Sequence, residues 1–176
     1  AAYVVASGGI RAAQGAYRSL QTLRHIPKLQ RILEEAVPVQ KALMDDLGDV
    51  AKDLGLKEKP YGGLKSEESA IRKMKAKGRG PEDINDLSRG TLPIDDSFQV
   101  PAAREALEAK GFYFDDADWF APRIGGYRGF HGEARVGDVT LEVQIQTPRG
   151  SKFKEASDRF YQKWRDENID LLQGEK

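Results

Sequence analysis

Residues 126–131, GYRGFH, and residues 141–147, LEVQIQT, are the part of the sequence that is most informative about the fold. Between them lies Gly137, and a glycine at the first central position is typical of a two-residue type II′ turn. The turn predicts a β-hairpin in which Val136 pairs with Val139, and this pairing sets the register of both strands.

Alternation along the hairpin divides its residues between two faces. Leu141, Val143 and Ile145 point into a core. The register places Glu133 opposite Glu142, and two opposed carboxylates repel unless they are solvated, protonated or bridged by a cation. We therefore interpret the polar face as a candidate site; its members are Tyr127, Gly129, His131, Glu133, Glu142, Gln144 and Gln146.

The composition bounds the possible functions. The chain has 176 residues, enough for one domain with a substantial core. It carries 28 acidic and 28 basic side chains, so no overall field directs it to nucleic acid. The absence of cysteine excludes disulfides and thiolate chemistry, and only two histidines exclude a multi-histidine metal site. The apolar run at residues 1–6 is too short to span a membrane, so no membrane partner is expected.

Helix and strand signals alternate along the chain. Residues 10–54 have helical periodicity, and we expect Pro27 and Pro38 to divide them into two or three helices. Residues 57–64 have the composition of a loop. The remaining expected elements are a helix from Ser66 to about Gly78, a strand at 86–92, a helix at 100–110, a strand near Phe112, the hairpin, and a last helix at 152–166. This order predicts an α+β fold.

A stripe of cations follows the expected start of the helix after Ser66. Its spacing is i, i+4, i+7 and i+8, so its members line one face. Such a stripe suits a polyphosphate, because each phosphate oxygen can accept a charge-assisted hydrogen bond. A solvated helix face is the alternative interpretation. The stripe consists of Lys65, Ser69, Arg72 and Lys73.

Several single residues have both a functional and a structural interpretation. Asp86 and Glu142 together could hold a magnesium ion that also binds phosphates, although Asp86 alone is also typical of a turn or cap. Arg123 would add a phosphate contact or be an isolated surface arginine. Tyr127 could stack on a nucleobase or be a half-buried sheet tyrosine. A histidine such as His131 is more often a structural residue than a catalyst.

Taken in order and spacing, these motifs resemble the RelA/SpoT synthetase domain from about Gly62 to Thr147. Residues 159–165, RFYQKWR, resemble its continuation. The resemblance implies a nucleotidyltransferase-like fold, a mixed sheet of about five strands flanked by helices. The core would span residues 57–176, with residues 1–56 as a helical segment packed on it. Family members transfer the β,γ-pyrophosphate of ATP to the 3′-hydroxyl of a nucleotide, usually GDP or GTP, which gives alarmones.

The resemblance also implies roles for individual residues, with Mg²⁺ and ATP as the cofactors. Asp86 and Glu142 would bind the metal, and Glu142 would also draw the proton from the 3′-hydroxyl. Gln144 and His131 would support Glu142, and Tyr127 would stack on the acceptor base. The residues implied to bind the ATP phosphates are Lys65, Ser69, Arg72, Lys73 and Arg123.

Three departures from the family pattern imply a different contact to the donor base, and they also favour the alternative of a non-catalytic module. Gly63 stands where long members have an arginine that stacks on the ATP adenine, Thr91 replaces another arginine, and Gly125 replaces an asparagine. No His-Asp hydrolase signature is present in this sequence. The chain is more similar to the small toxin branch, which includes secreted effectors that pyrophosphorylate adenosine nucleotides.

We therefore expect a pyrophosphokinase that acts on a purine nucleotide, giving (p)ppApp from adenine nucleotides or (p)ppGpp from GDP and GTP. It would act in the cytoplasm, as a toxin secreted into a target cell within a larger effector, with an immunity protein as partner. One alternative is the 3′ end of tRNA as acceptor, for which a basic patch of Lys73, Lys75, Lys77 and Arg79 could serve. Nucleic acid is a partner only in that case. The other alternative is a non-catalytic nucleotide- or partner-binding module.

Overall fold

The computed structural model describes residues 2–78, 80–114, 130–147 and 150. Side chains are described from Leu20 onward within these ranges, apart from Gln21 and Lys77. Arg123, Tyr127 and the expected closing helix at residues 152–166 lie outside the described residues.

The described elements form an α+β fold around a mixed sheet of five strands, as predicted. The strand order is β1-β2-β5-β4-β3; β2 and β5 are parallel, and the other pairs are antiparallel. In chain order the elements are α1 (Ala2–Asp53), β1 (Tyr61–Leu64), α2 (Glu67–Lys77), a 3₁₀ turn (Pro81–Asp83), β2 (Ser88–Pro93), a 3₁₀ turn (Ser97–Gln99), α3 (Val100–Ala109), β3 (Tyr113–Phe114), β4 (Phe130–Val136) and β5 (Val139–Gln146).

The β4–β5 hairpin has the predicted register, with Val136 opposite Val139 and Glu133 opposite Glu142. Gly137 adopts a φ of 59°, and no described non-glycine residue has a positive φ. This combination fits a type II′ turn, in which only the first central residue needs a positive φ. The core-facing residues of β5 are buried as expected: Leu141, Val143 and Ile145.

The expectation that proline divides the N-terminal region into several helices is wrong. The structure has one continuous helix, α1, of 52 residues with Pro27 and Pro38 inside it. A helix-interior proline costs about 3 kcal/mol because it removes a hydrogen bond and crowds the preceding turn. Packing offsets that cost, since one stripe of α1 is buried against α2 and the sheet; its members include Leu29, Ile32, Ala36, Leu43, Leu47 and Val50.

The segment expected to be a loop contains the edge strand β1, which corrects the prediction for residues 57–64. Gly62 pairs with Gly90 of β2, and a Cβ on Gly62 would collide with the backbone carbonyl of Arg89. The glycine therefore permits close approach of two strands rather than a turn.

Strand β2 begins at Ser88, two residues later than the predicted start at Asp86. Asp86 lies before the strand, and its carboxylate accepts hydrogen bonds from Lys65, just before α2, and from Lys73 within α2. Helix α2 itself is as predicted: the Ser66 side chain accepts a hydrogen bond from the Ser69 N–H, and Gly78 ends the helix at a φ of 62°. None of the helices in the described ranges is both long and apolar enough to cross a bilayer.

Candidate active site

Asp86 forms two ion pairs, one with Lys65 and one with Lys73. Its Oδ2 accepts a hydrogen bond from Lys65 Nζ and its Oδ1 one from Lys73 Nζ, each at 2.8 Å. The three side chains are largely buried, with exposed fractions of 16% for Asp86, 11% for Lys65 and 21% for Lys73. Burial raises the pKa of Asp86, but the hydrogen bonds and charges of the two lysines outweigh it and hold this pKa below its ordinary value. Asp86 is therefore ionised at neutral pH.

Asn85 joins this centre to the hairpin. Its Oδ1 accepts a hydrogen bond from Lys73 Nζ at 2.8 Å, and its Nδ2 donates to Glu133 Oε1 at 2.9 Å. One neutral amide thus connects α2 to β4. The sequence analysis gave Asn85 no role; its place directly before Asp86 was the available signal.

Glu142, on the polar face of β5, forms a second acid centre. The ring nitrogen Nδ1 of His131 lies 2.7 Å from Glu142 Oε1, and both side chains are largely buried. Burial raises the pKa of Glu142. The hydrogen bonds from His131 and Gln144, together with the charge of His131, outweigh the effect of burial, so this pKa lies below its ordinary value. The structure thus brings together three of the residues that the sequence grouped on this face, His131, Glu142 and Gln144.

The two acid centres share one electrostatic environment. The negative charge of Asp86 acts to raise the pKa of Glu142, against the stronger effect of His131. The predicted repulsion between Glu133 and Glu142 is resolved by giving them different partners, since Glu133 bonds to Asn85 and Glu142 to His131. Asp86 and Glu142 thus lie close enough for the charge of one to affect the pKa of the other.

The remaining members of the cation stripe lie at the start of α2. Arg72 is exposed and donates from Nη2 to Ser69 Oγ at 3.4 Å, and Ser66 Oγ lies 2.9 Å from Ser69 Oγ. Lys65 comes just before the N-cap rather than within the helix. The backbone N–H of Lys65 nevertheless donates a hydrogen bond to the Leu87 carbonyl at 2.8 Å, which fixes Lys65 beside Asp86.

The carboxylate oxygens of Asp86 and Glu142 are suitable ligands for a magnesium ion that arrives with a nucleotide. No group of three or more metal-ligating side chains occurs among the described residues. Magnesium is usually held by only one or two carboxylates, with substrate phosphates and water completing its octahedron. Asp86 and Glu142 are two such carboxylates, and each oxygen has a second lone pair beyond its present hydrogen bond.

Comparison with known proteins identifies the fold. No protein-family model matches the sequence, and no curated protein matches it. The crystal structure of the small alarmone synthetase 1 from Bacillus subtilis matches with a TM-score of 0.60 at 20% identity, over 84% of this chain and 86% of that one. The crystal structure of the complex between the type VI effector Tas1 and its immunity protein matches with a TM-score of 0.56 at 22% identity.

That second match covers 71% of this chain and 62% of the matched chain, so this chain spans less than two thirds of its length. At identities near 20%, both matches concern the fold. The mixed five-stranded sheet described above matches the fold of the small alarmone synthetase. The chain therefore has the RelA/SpoT-type synthetase fold, the fold of a small alarmone synthetase.

Proposed function

We propose that the chain is a magnesium-dependent pyrophosphokinase that transfers the β,γ-pyrophosphate of ATP to the 3′-hydroxyl of a purine nucleotide. The observation that carries this proposal is the pair of coupled acid centres on a synthetase fold. Asp86 is held by two ammonium groups, and Glu142 is held by a histidine and an amide. Phosphoryl-type transfer needs mainly positioning and charge neutralisation, which these groups supply.

The Asp86 centre, with its two lysines Lys65 and Lys73, is suited to the triphosphate of the donor nucleotide. An ammonium carries three N–H donors, so Lys65 and Lys73 can bind phosphate oxygens while keeping their contacts with Asp86. Ser69 and Arg72 extend the same surface along α2. A magnesium ion bound at Asp86 and Glu142 would add charge neutralisation at the transferred group.

The Glu142 centre is suited to the acceptor. Glu142 is ionised at neutral pH and can accept the proton of the 3′-hydroxyl as that oxygen attacks the β-phosphorus. The new O–P bond forms while the bond from the β-phosphorus to the α,β-bridging oxygen breaks, and AMP leaves. A lowered pKa makes Glu142 a weak base, so proton transfer becomes favourable only as the hydroxyl oxygen loses electron density to phosphorus. Tyr127 and Arg123 are proposed to hold the acceptor base and a phosphate.

We further infer a toxin role, for which the effector match is the support. The chain would act in the cytoplasm of a target cell as part of a secreted effector, with an immunity protein as its partner. The acceptor would be an adenine nucleotide, giving (p)ppApp, or GDP and GTP, giving (p)ppGpp. Residues 57–176 would form the catalytic core, with residues 1–56 as a helical segment on it.

The proposal is tested by incubating the chain with ATP, Mg²⁺ and a mixture of ADP, GDP and GTP, followed by anion-exchange chromatography. We expect AMP together with a 3′-pyrophosphorylated nucleotide. Glu142→Gln, which keeps the shape of the side chain, should lower kcat by about 10²- to 10⁴-fold. Glu105→Gln, at an exposed position of α3, is the matched control and should retain full activity.

Other outcomes would favour other functions. Absence of a new nucleotide with every acceptor would remove the proposal. Loss of tRNA charging with unchanged nucleotide pools would favour the 3′ end of tRNA as acceptor. Tight nucleotide binding without turnover would identify a non-catalytic module.

A further inference from the structure

Two amide side chains lie on the same face of β5 as Glu142. Gln144 and Gln146 alternate with the core residues of the strand, so they point to the side of the sheet that carries Glu142. Both amides are nevertheless buried, with exposed fractions of 9% for Gln144 and 1% for Gln146. A buried amide is costly unless its polar atoms are hydrogen-bonded, so the partners of these amides determine how they are oriented.

A hydrogen-bond network runs through these amides from the edge of the sheet to Glu142. The Tyr61 hydroxyl of β1 donates to Gln146 Oε1 at 3.3 Å. Gln146 Nε2 donates to Gln144 Oε1 at 2.8 Å, and Gln144 donates in turn to the Glu142 carboxylate. We call these four residues the amide network.

The register of the sheet brings Tyr61 within reach of β5. Tyr61 pairs with Thr91 of β2, and Thr91 pairs with Gln144 of β5. Paired residues point to the same side of a sheet, so these three side chains share one face. Because Thr91 is short, the longer tyrosine side chain can extend over β2 to Gln146. The amide network thus begins at a ring that is 50% exposed and ends at a largely buried carboxylate.

The amide network has one direction. An ionised carboxylate only accepts hydrogen bonds, so Gln144 presents its NH₂ group to Glu142 and its oxygen to Gln146. Gln146 then presents its NH₂ group to Gln144 and its oxygen to the edge of the sheet. The Tyr61 hydroxyl supplies the donor for this last oxygen. Rotation of either amide by 180° would place two oxygens against each other, so the groups at both ends favour the same orientation.

Glu142 is held from two sides. His131 Nδ1 lies 2.7 Å from its Oε1, and Gln144 donates to it from within β5. The hydrogen bond from Gln146 restricts rotation of the Gln144 side chain. A general base must lie within hydrogen-bond reach of the proton that it accepts, and a misplacement of about 1 Å can lower a rate by about 10²-fold. The outer members of the network can therefore affect the placement of Glu142 without contacting it.

We propose that Gln146 and Tyr61 are positioning residues, which orient the Gln144 amide and through it hold the Glu142 carboxylate where it can accept the proton of the 3′-hydroxyl. This inference rests on the proposed function, because it adds two residues to the site in which Glu142 is the base. The hydroxyl of Tyr61, rather than its ring, should then matter for the reaction. Its loss should affect kcat rather than the binding of ATP.

The first test removes single polar groups and measures kcat and the KM for ATP, with Mg²⁺ and a purine nucleotide present. Tyr61→Phe, which deletes only the hydroxyl, should lower kcat by about 3- to 10-fold. Gln146→Met, which keeps a long unbranched side chain without the amide, should lower kcat by about 10- to 100-fold. The KM for ATP should change by less than about threefold in both variants. Tyr113→Phe, at a tyrosine of β3 that is 73% exposed, is the matched control and should keep full activity.

A double-mutant cycle separates positioning from general destabilisation. Once Gln146→Met has interrupted the network, removal of the Tyr61 hydroxyl should cause no further loss, so the double variant should have the kcat of Gln146→Met alone. Losses that multiply would overturn the inference, because they would make the two effects independent. A raised KM for ATP with unchanged kcat in Tyr61→Phe would also overturn it, because Tyr61 would then be a ligand of the nucleotide. Unchanged kcat in both folded single variants would overturn it as well.

The side-chain amide signals of Gln144 in ¹H–¹⁵N NMR spectra give a readout that needs no turnover. Tyr61→Phe should shift these signals from two hydrogen bonds away and speed their exchange with solvent, whereas Tyr113→Phe should leave them unchanged. If the wild-type chain forms no product but the signals respond, the proposed reaction fails and the orientation of Gln144 by Tyr61 stands. If the wild type turns over but neither the signals nor kcat respond, the reaction stands and the positioning role fails. Because Tyr61→Phe changes only a half-exposed ring, this readout remains even if Gln146→Met does not fold.

Discussion

Replacing Asp86 with asparagine removes the one negative charge that two lysines share. Both Asp86 oxygens accept a hydrogen bond from an ammonium at 2.8 Å, and the three side chains are at most 21% exposed. Asparagine can still accept one of the two bonds, but neither ammonium then has its countercharge. We therefore expect Asp86→Asn to destabilise the chain even though it changes almost no volume.

The burial of the cluster sets the magnitude. Breaking a fully buried ion pair costs about 3–5 kcal/mol, whereas an exposed pair contributes about 0–1 kcal/mol. A cluster that is mostly but not wholly buried lies between these limits, at about 2–3 kcal/mol. For a chain of this length, such a loss lowers Tm by about 5–10 °C.

The pH dependence of the loss gives a second measurement. The folded-state pKa of Asp86 is lowered, so its stabilisation is fully present above the unfolded pKa of about 4 and disappears as the pH falls through the folded pKa. The difference in unfolding free energy between wild type and Asp86→Asn should therefore be constant near neutral pH and shrink below about pH 4.

Urea unfolding at several pH values measures both quantities. Asp45→Asn is the matched control, because Asp45 forms an ion pair with Lys41 in which both side chains are well exposed; its effect should stay within about 0.5 kcal/mol. Equal stability of wild type and Asp86→Asn at pH 7 would show that the Asp86 charge does not stabilise the fold. A difference that persists unchanged at low pH would refute its electrostatic origin.

Two further predictions concern Glu142 and helix α1. His131→Ala removes the main group that opposes the effect of burial on Glu142, so the pKa of Glu142 should rise and the acidic limb of the pH profile of kcat/KM should move to higher pH. His25→Ala is its control, and an unmoved limb in His131→Ala would show that Glu142 does not titrate in that limb. Pro38→Ala restores a helix-interior N–H at an exposed position of α1 and should raise the unfolding free energy by up to about 3 kcal/mol in thermal or urea unfolding. A loss of stability in Pro38→Ala would mean that the proline itself is needed for the packing of α1.

The hairpin and the caps of α2 could be predicted from the sequence because their causes are local. A glycine at one turn position and the alternation of β5 together determine which residues face Glu142. Ser66 and Gly78 bracket α2 in the same way, through the groups at its two ends. In these cases the residues that determine the conformation lie within a few positions of the turn or the helix end that they define.

The features that were missed depend on contacts between distant segments. The proline signals in α1 are correct locally, but burial of its inner stripe against the sheet outweighs them. Gly62 lies in a segment whose composition is typical of a loop, and only the approach of β2 shows that this glycine belongs to a strand. Asn85 likewise acquires its role from Lys73 and Glu133, which lie 12 and 48 residues away along the chain.

The cation stripe shows how a correct grouping can leave the partner undetermined. Lys65 and Lys73 were grouped as phosphate ligands, and the structure places both on Asp86. Spacing along a helix predicts which side chains share a face, but the charge they meet comes from another element. Under the proposed function, the two lysines bind the ATP phosphates while keeping these contacts with Asp86.

The fate of the β- and γ-phosphates of ATP distinguishes the proposed reaction from every other use of this fold. ³¹P NMR of the chain with ATP, Mg²⁺ and a purine nucleotide follows both phosphates at once. We predict that they appear together on the 3′-oxygen of the acceptor, in equal amount to the AMP formed, and that Glu142→Gln slows this transfer by about 10²- to 10⁴-fold. Release of orthophosphate or free pyrophosphate with no acceptor product, or equal transfer by Glu142→Gln, would contradict the assignment of Glu142 and Asp86 to one transfer site.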